Sequence, residues 1–228
     1  MSSIELLFVD AHVVVANKPS GLLVHRGWDR DDDVAMFRVR DAIDALVYPV
    51  HRLDRGTSGA LVFARSSEAA AALCSSFEAR RVEKEYLALV RGRVAEDSGV
   101  IDYAIPKSED GERVPAVTRY RVLARSEVER CSLVQAMPET GRLHQIRRHL
   151  RHLTHPLVGD VAYGSGVINR LYRDTYGLHR LALHASCIEF PHPVSGETIK
   201  VTAPLPVELE QAFVRLGCWP AAASPSSE

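Results

Sequence analysis

A mixed α+β fold with many strands and few helices is what this chain predicts, and three observations carry it. Short β-prone runs bounded by Gly, Pro, Asn and Asp recur along most of the sequence. Helical periodicity is confined to a handful of segments, with no repeat period and no low-complexity linker between them. At 228 residues and 46% hydrophobic, the chain can bury a large core, as one large domain or two closely packed subdomains.

Taken in order, Glu5 to Asp10 and His12 to Asn17 read as a hairpin turning at Asp10-Ala11. Lys18-Pro19-Ser20-Gly21 is a turn that Pro and Gly both favour, followed by apolar Leu22-Leu23-Val24 and His25. Lys18 is either a phosphate contact or a solvated charge. Arg26 to Asp33 is a polar loop with Trp28 and an acidic run, Asp29 and Asp31 to Asp33, which lacks spaced metal partners and suits a helix N-terminus. Val34, Phe37, Val39, Ile43 and Leu46 then space as a helix.

The stretch that organises the rest is His51-Arg52-Leu53-Asp54-Arg55-Gly56-Thr57-Ser58-Gly59, read as strand, loop and strand with apolar runs on both sides. Two readings of Asp54 stay open: a carboxylate capping its own turn, or a catalyst presented between Arg52 and Arg55. Ser66 and Ser67 offer N-caps to an alanine-rich helix ending near Arg80. Lys84 to Val90 alternates as a strand with Tyr86 on one face, and Gly99 to Ile105, Val117 to Leu123 and Leu133 to Met137 are further strands. A polar connector, Pro106 to Pro115 with Asp110-Gly111, lies between two of them.

Thr140 to His155 is the one concentrated basic region. A helix from about His144 puts Ile146, Leu150 and Leu153 on an apolar stripe and Arg147, Arg148 and Arg151 on a basic surface. His149, His152 and His155 could suggest a metal, but no carboxylate or cysteine completes a ligand pattern, and the basic surface is preferred. Pro156 to Asp160 closes that helix, and Arg173 to Gly177 reads as a polar loop. Leu181 to Phe190 is a long strand, His192 to Glu197 turns into Thr198 to Thr202, and Leu205 to Leu216 is a last helix before a Pro/Ala/Ser-rich tail.

Composition narrows the function classes. A net charge of −1 leaves no global footprint of a nucleic-acid binder, so any RNA binding must come from local arrangement. Cys74, Cys131, Cys187 and Cys218 form no Cys-x-x-Cys pair, which argues for buried reduced thiols over a zinc ribbon. No leader pattern or membrane-length apolar run is present, and a cytoplasmic protein is expected.

Several motifs now arrive together and in order. His51-Arg52-Leu53-Asp54 with Thr57-Ser58-Gly59 resembles the signature of the RluA family of RNA pseudouridine synthases. Lys18-Pro19-Ser20-Gly21 with Val24-His25, Lys84-x-Tyr86-x-Ala88, Gly141-Arg142-x-His144-Gln145-Ile146-Arg147, His155-Pro156 with Gly159-Asp160, and Leu183-His184-Ala185 support it, from about Phe8 to Ala203. Val24-His25-Arg26-x-Trp28, Arg40-Asp41 and Gly177-Leu178-x-Arg180-Leu181 look like a tRNA-acting branch that modifies uridine at tRNA position 65.

The resemblance implies an α+β pseudouridine synthase fold: a mixed, mostly antiparallel sheet of two subdomains with a central catalytic cleft. It implies one catalytic domain over 1–216 with a disordered 217–228, no added RNA-binding domain, no metal and no cofactor, and a monomer that needs no protein partner. Asp54 would be the catalyst, Tyr86 the stacking face for the base, and Arg147 the partner that pairs with and orients Asp54. Leu183 would wall the pocket, Arg52 would fill the space the base vacates, and Lys18, Arg142 and Arg148 would contact the RNA. The rivals are a synthase acting on large-subunit ribosomal RNA, an RNA-binding or folding module in which Asp54 does no chemistry, and a glycosidase, which needs a second carboxylate near Asp54.

Overall fold

The computed structural model describes residues 3–26, 33–107 and 111–219. Trp28, Asp29, Asp31, Asp32, Asp110 and residues 220–228 of the tail lie outside them. The chain begins with β1 (Glu5–Val9), β2 (Val13–Lys18), α1 (Ala35–Ile43), β3 (Tyr48–Pro49), β4 (Ser58–Ala64) and α2 (Ser67–Glu78). The middle is all strand: β5 (Glu83–Arg91), β6 (Ser98–Asp102), β7 (Ile105–Pro106), β8 (Arg113–Val114), β9 (Val117–Arg125) and β10 (Cys131–Pro138). It ends with α3 (Gln145–His152), α4 (Gly166–Tyr176), β11 (Leu183–Pro191), β12 (Thr198–Thr202) and α5 (Val207–Arg215).

One sheet of 10 strands runs in the order β1-β2-β4-β11-β5-β10-β9-β6, with β12 on β11 and β3 on β4; β7 and β8 form a separate ribbon. Among the described residues every pairing between these strands is antiparallel except β4 with β11. The first hairpin turns where the sequence places it because Asp10 Oδ1 accepts the N–H groups of His12 and Val13, each at 2.7 Å. Strand β4 is buried at all seven positions, which accounts for its unbroken apolar run. Leu61 and Phe63 face one core while Ala60, Val62 and Ala64 face another, the two-residue alternation of a strand covered on both sides. Gly59, at φ 114°, lets β4 pass so close to the Ala185 backbone that any Cβ would collide with it. That close parallel contact sets the loop before β4 against the start of β11.

Three local expectations are corrected. Arg173 to Gly177 is the end of α4, not a loop: Tyr172 and Tyr176 are its buried positions, packed beside Leu209 and Phe213 of α5, and tyrosines mark an apolar stripe weakly. Asp33 does not cap α1. It grips Arg38 at 2.7 Å and 2.5 Å, and the N-cap position, Val34, makes no side-chain bond. Cys218, expected in the tail, is buried in the core of α4 and α5.

Lys18 is the larger correction. It is fully buried, and its Nζ donates to the carbonyls of Pro19 at 2.9 Å, Leu22 at 2.6 Å and Arg55 at 3.2 Å. It is therefore neither a phosphate contact nor a solvated charge. Burial pulls its pKa down to about 7. With Gly21 N–H on the Arg55 carbonyl (2.8 Å) and Ser20 Oγ on the Gly56 carbonyl (2.8 Å), it stitches the 19–22 turn to the loop that carries Asp54. Lys18→Met strands those carbonyls in the interior, so urea unfolding should lose about 3 kcal/mol of stability.

Candidate active site

The loop at the centre of the sequence is held by its neighbours, not by its own carboxylate. His51 Nε2 accepts the Val62 N–H at 3.0 Å, its ring stacks on Phe77 (centroids 4.9 Å apart), and burial holds its pKa down at about 3, so this nitrogen stays bare. Arg180 Nη2 donates to Ser58 Oγ at 2.6 Å, which leaves the Ser58 hydroxyl to donate to His184 Nδ1 at 2.9 Å; His184 Nε2 meets the Ala203 carbonyl at 3.3 Å. Thr57 N–H closes the turn on the Asp54 backbone carbonyl at 3.0 Å. The Asp54 side chain is thereby left for another partner.

That partner is Arg147, whose Nη1 donates to Asp54 Oδ2 at 3.0 Å. The same guanidinium places Nε at 2.7 Å and Nη2 at 2.9 Å from the two oxygens of Asp160, a bidentate pair. Asp160 has no exposed side-chain surface and also accepts the N–H groups of Ala162 (2.9 Å) and Tyr163 (3.0 Å). Burial works against its charge, but Arg147 and these N–H groups outweigh it and hold its pKa below the ordinary 3.8.

The basic helix surface is thus mostly not a surface. Arg147 is 8% exposed, and Arg148 commits Nε to the Tyr163 hydroxyl (2.8 Å) and Nη1 to the Pro106 carbonyl (2.8 Å). Only Arg151 of the three lies open, and all three guanidinium groups sit 5.0 to 5.8 Å from the Tyr163 ring. Of the histidines, His149 is buried between Thr118 Oγ1 (2.8 Å) and the Tyr103 carbonyl (2.9 Å), and His152 stacks on Tyr103. Among the described residues no group of three His, Cys, Asp or Glu side chains could hold a metal ion.

A cleft of about 580 Å³ opens over this pair, between the 50–57 loop, the N-terminal part of β5, the end of β10 and the start of α3. Asp54, Tyr86, Arg147, Leu183, Arg52 and Arg142 all line it; Lys18 and Arg148 do not. Tyr86 is 8% exposed, and burial together with nearby Asp54 pushes its hydroxyl well above the ordinary range, so it stays a neutral phenol. Leu183 is buried at the mouth of β11, while Arg52 and Arg142 are exposed, Arg142 with Nε on the Pro115 carbonyl at 3.2 Å. Sequence reasoning assigned no role to Asp160, Tyr163 or His144. The Gly159-Asp160 pair was visible as a motif, and its spacing to Tyr163 is the one local hint, an Asp accepting backbone N–H groups two and three residues on.

The profile of the family described as RNA pseudouridylate synthase matches residues 12–152. The chain belongs to that family. It is 41% identical to tRNA pseudouridine synthase C of Vibrio parahaemolyticus, over 93% of this chain and 94% of that one. It is likewise 41% identical to tRNA pseudouridine synthase C of Vibrio cholerae, over 89% and 91%. Among solved structures it resembles human RNA pseudouridylate synthase domain containing 1 (TM-score 0.77, 28% identity, 92% and 87% covered) and domain containing 4 (TM-score 0.76, 29% identity, 93% of each). In this pseudouridylate synthase the cleft's carboxylate–arginine pair is built from a loop and a helix that the sheet brings together. Asp160 cannot supply a glycosidase's second acid/base carboxylate, because it is sealed beneath Arg147.

A carboxyl with a depressed pKa stabilises the fold above its unfolded value, and that contribution disappears as pH falls through the lower folded value. Stability measured by urea unfolding should therefore fall as pH drops below about 3.8, the ordinary Asp160 value. Asp160→Asn should flatten that acid limb and, at pH 7, lose about 3 kcal/mol by leaving Arg147 half-paired.

Proposed function

We propose that this chain isomerises a uridine of tRNA to pseudouridine, at tRNA position 65 in the acceptor and T-arm region, acting in the cytoplasm as a monomer with no cofactor. The observation that carries the reading is Asp54 in the cleft, oriented by Arg147 at 3.0 Å and flanked by Tyr86 and Leu183. The full-length likeness to relatives named tRNA pseudouridine synthase C supports the choice of RNA.

The chemistry requires the N1–C1′ bond to break, the uracil to turn, C5 to bond to C1′ and the C5 hydrogen to leave as a proton while N1 gains one. Asp54 serves either as nucleophile at C1′ or as base toward the C2′ proton. A base in a stem must leave its stack to reach the cleft. Tyr86 stacks on it, Leu183 walls the pocket, and exposed Arg52 fills the space left behind. Exposed Arg142 sits at the rim, where it meets phosphates without reading sequence, while Arg148 is spent on Tyr163 and Pro106 behind it.

Transcripts carrying tritium at uridine C5 test this directly, because C5 loses its hydrogen on bonding to C1′. Wild type should release tritium from tRNA, and Asp54→Asn and Arg147→Ala should release none while the Asp54→Asn protein binds tRNA within roughly threefold of wild type. Tyr86→Phe should keep more activity than Tyr86→Ala. Release from a large-subunit ribosomal RNA fragment in place of tRNA would keep the reaction and change the substrate, and binding without release would leave only an RNA-binding module.

A further inference from the structure

His144 occupies the position before α3 with φ 53° and ψ 30°, a left-handed conformation that side-chain-bearing residues seldom adopt, and it makes no capping bond to the helix. Its ring lines the cleft, and Nε2 stands 3.9 Å from Asp54 Oδ1, the oxygen that Arg147 does not take. Nδ1 lies 3.0 Å from the Tyr163 hydroxyl. Tyr163 is set in turn by its N–H on Asp160, so the carboxylate that grips Arg147 also places the residue that holds His144.

The hydrogen bonds choose the tautomer. Arg148 Nε can only donate, so the Tyr163 oxygen accepts there, and among the described residues His144 Nδ1 is the acceptor its own proton reaches, which favours a bare Nδ1. Burial lowers the pKa of His144, so the ring is neutral and carries its proton on Nε2. A carboxylate oxygen facing Nε2 favours the same choice, since a lone pair there would oppose it. At 3.9 Å this N–H is too far from Asp54 for a hydrogen bond, and it stays uncommitted until something enters the cleft.

We propose that His144 is a further catalytic residue, whose Nε2–H donates a hydrogen bond to a carbonyl oxygen of the uracil as the base departs from C1′. The inference rests on the isomerisation reading above. When N1–C1′ breaks, its electron pair passes to the ring and spreads over N1 and the carbonyl oxygens until C5 bonds to C1′. A fixed donor beside the reacting carbon stabilises that charge. His144 keeps its proton throughout, and a neutral imidazole can polarise a carbonyl in this way without neutralising the carboxylate beside it.

Nitrogen-15 NMR of the full chain reads the tautomer, with His144→Gln identifying the signal, and single-turnover kinetics on the tRNA transcript read the role. The expected result is a protonated Nε2 and bare Nδ1, and a roughly 100-fold slower isomerisation in His144→Ala with transcript affinity within about threefold. His144→Gln, which retains an N–H donor, should recover part of the rate, and Tyr163→Phe should lower the protonated-Nε2 population and slow turnover by roughly tenfold. A bare Nε2 in wild type, or His144→Ala as fast as wild type, overturns the inference. Wild type that isomerises no uridine overturns the functional reading instead, and the tautomer measurement then still decides whether the donor exists.

Discussion

A guanidinium taken almost wholly out of water needs anions to replace its hydration, and Arg147 has two. Asp160 accepts the fork of Nε and Nη2, which fixes the plane of the group and aims an N–H of Nη1 at Asp54. The partners lie 13 and 93 residues away in the chain, so one side chain ties α3, the 159–163 turn and the 51–57 loop to a common point. Loss of any of the three would leave a buried charge short of a counter-charge, which is why the arrangement resists partial change.

The Asp54 loop is equally dependent on elements that never touch the reaction. Lys18 closes it from β2, His51 anchors it to β4, and the Arg180–Ser58–His184 chain binds its far end to β11. Two close backbone approaches make this possible: Gly59 against Ala185, and Gly159, at φ 77°, against the Arg180 carbonyl. The result is a carboxylate presented from a loop yet positioned by strands, the precision that bond-breaking at a single carbon demands.

Around this rigid floor the rim is polar and open. Arg52 and Arg142 are exposed, and Arg151 lies beyond them on α3, so positive charge is local to the cleft mouth although the chain as a whole carries −1. Tyr163 collects the helix arginines from beneath, so a single aromatic ring sits between the buried pairing of Arg147 and the exposed Arg151.

Much of the fold was legible because it is written over short distances. Asp10 with the N–H groups two and three residues on, Ser66 capping α2, the two-residue alternation of β4 and the stripe of Ile146 and Leu150 are all decided by near neighbours. The loop around Asp54, Tyr86 on β5 and Arg147 on α3 were legible as motifs. What no window of sequence contains is which groups lose their water. Lys18 and Arg147 look like surface cations and become interior ones because strands and loops distant in sequence close over them, while Asp160, Tyr163 and His144 gain their meaning only beside Arg147. Sequence alone determined most of the strands and the candidate catalyst; tertiary structure decided α4 and the charge partners, since desolvation and hydrogen bonding depend on what the rest of the chain places nearby.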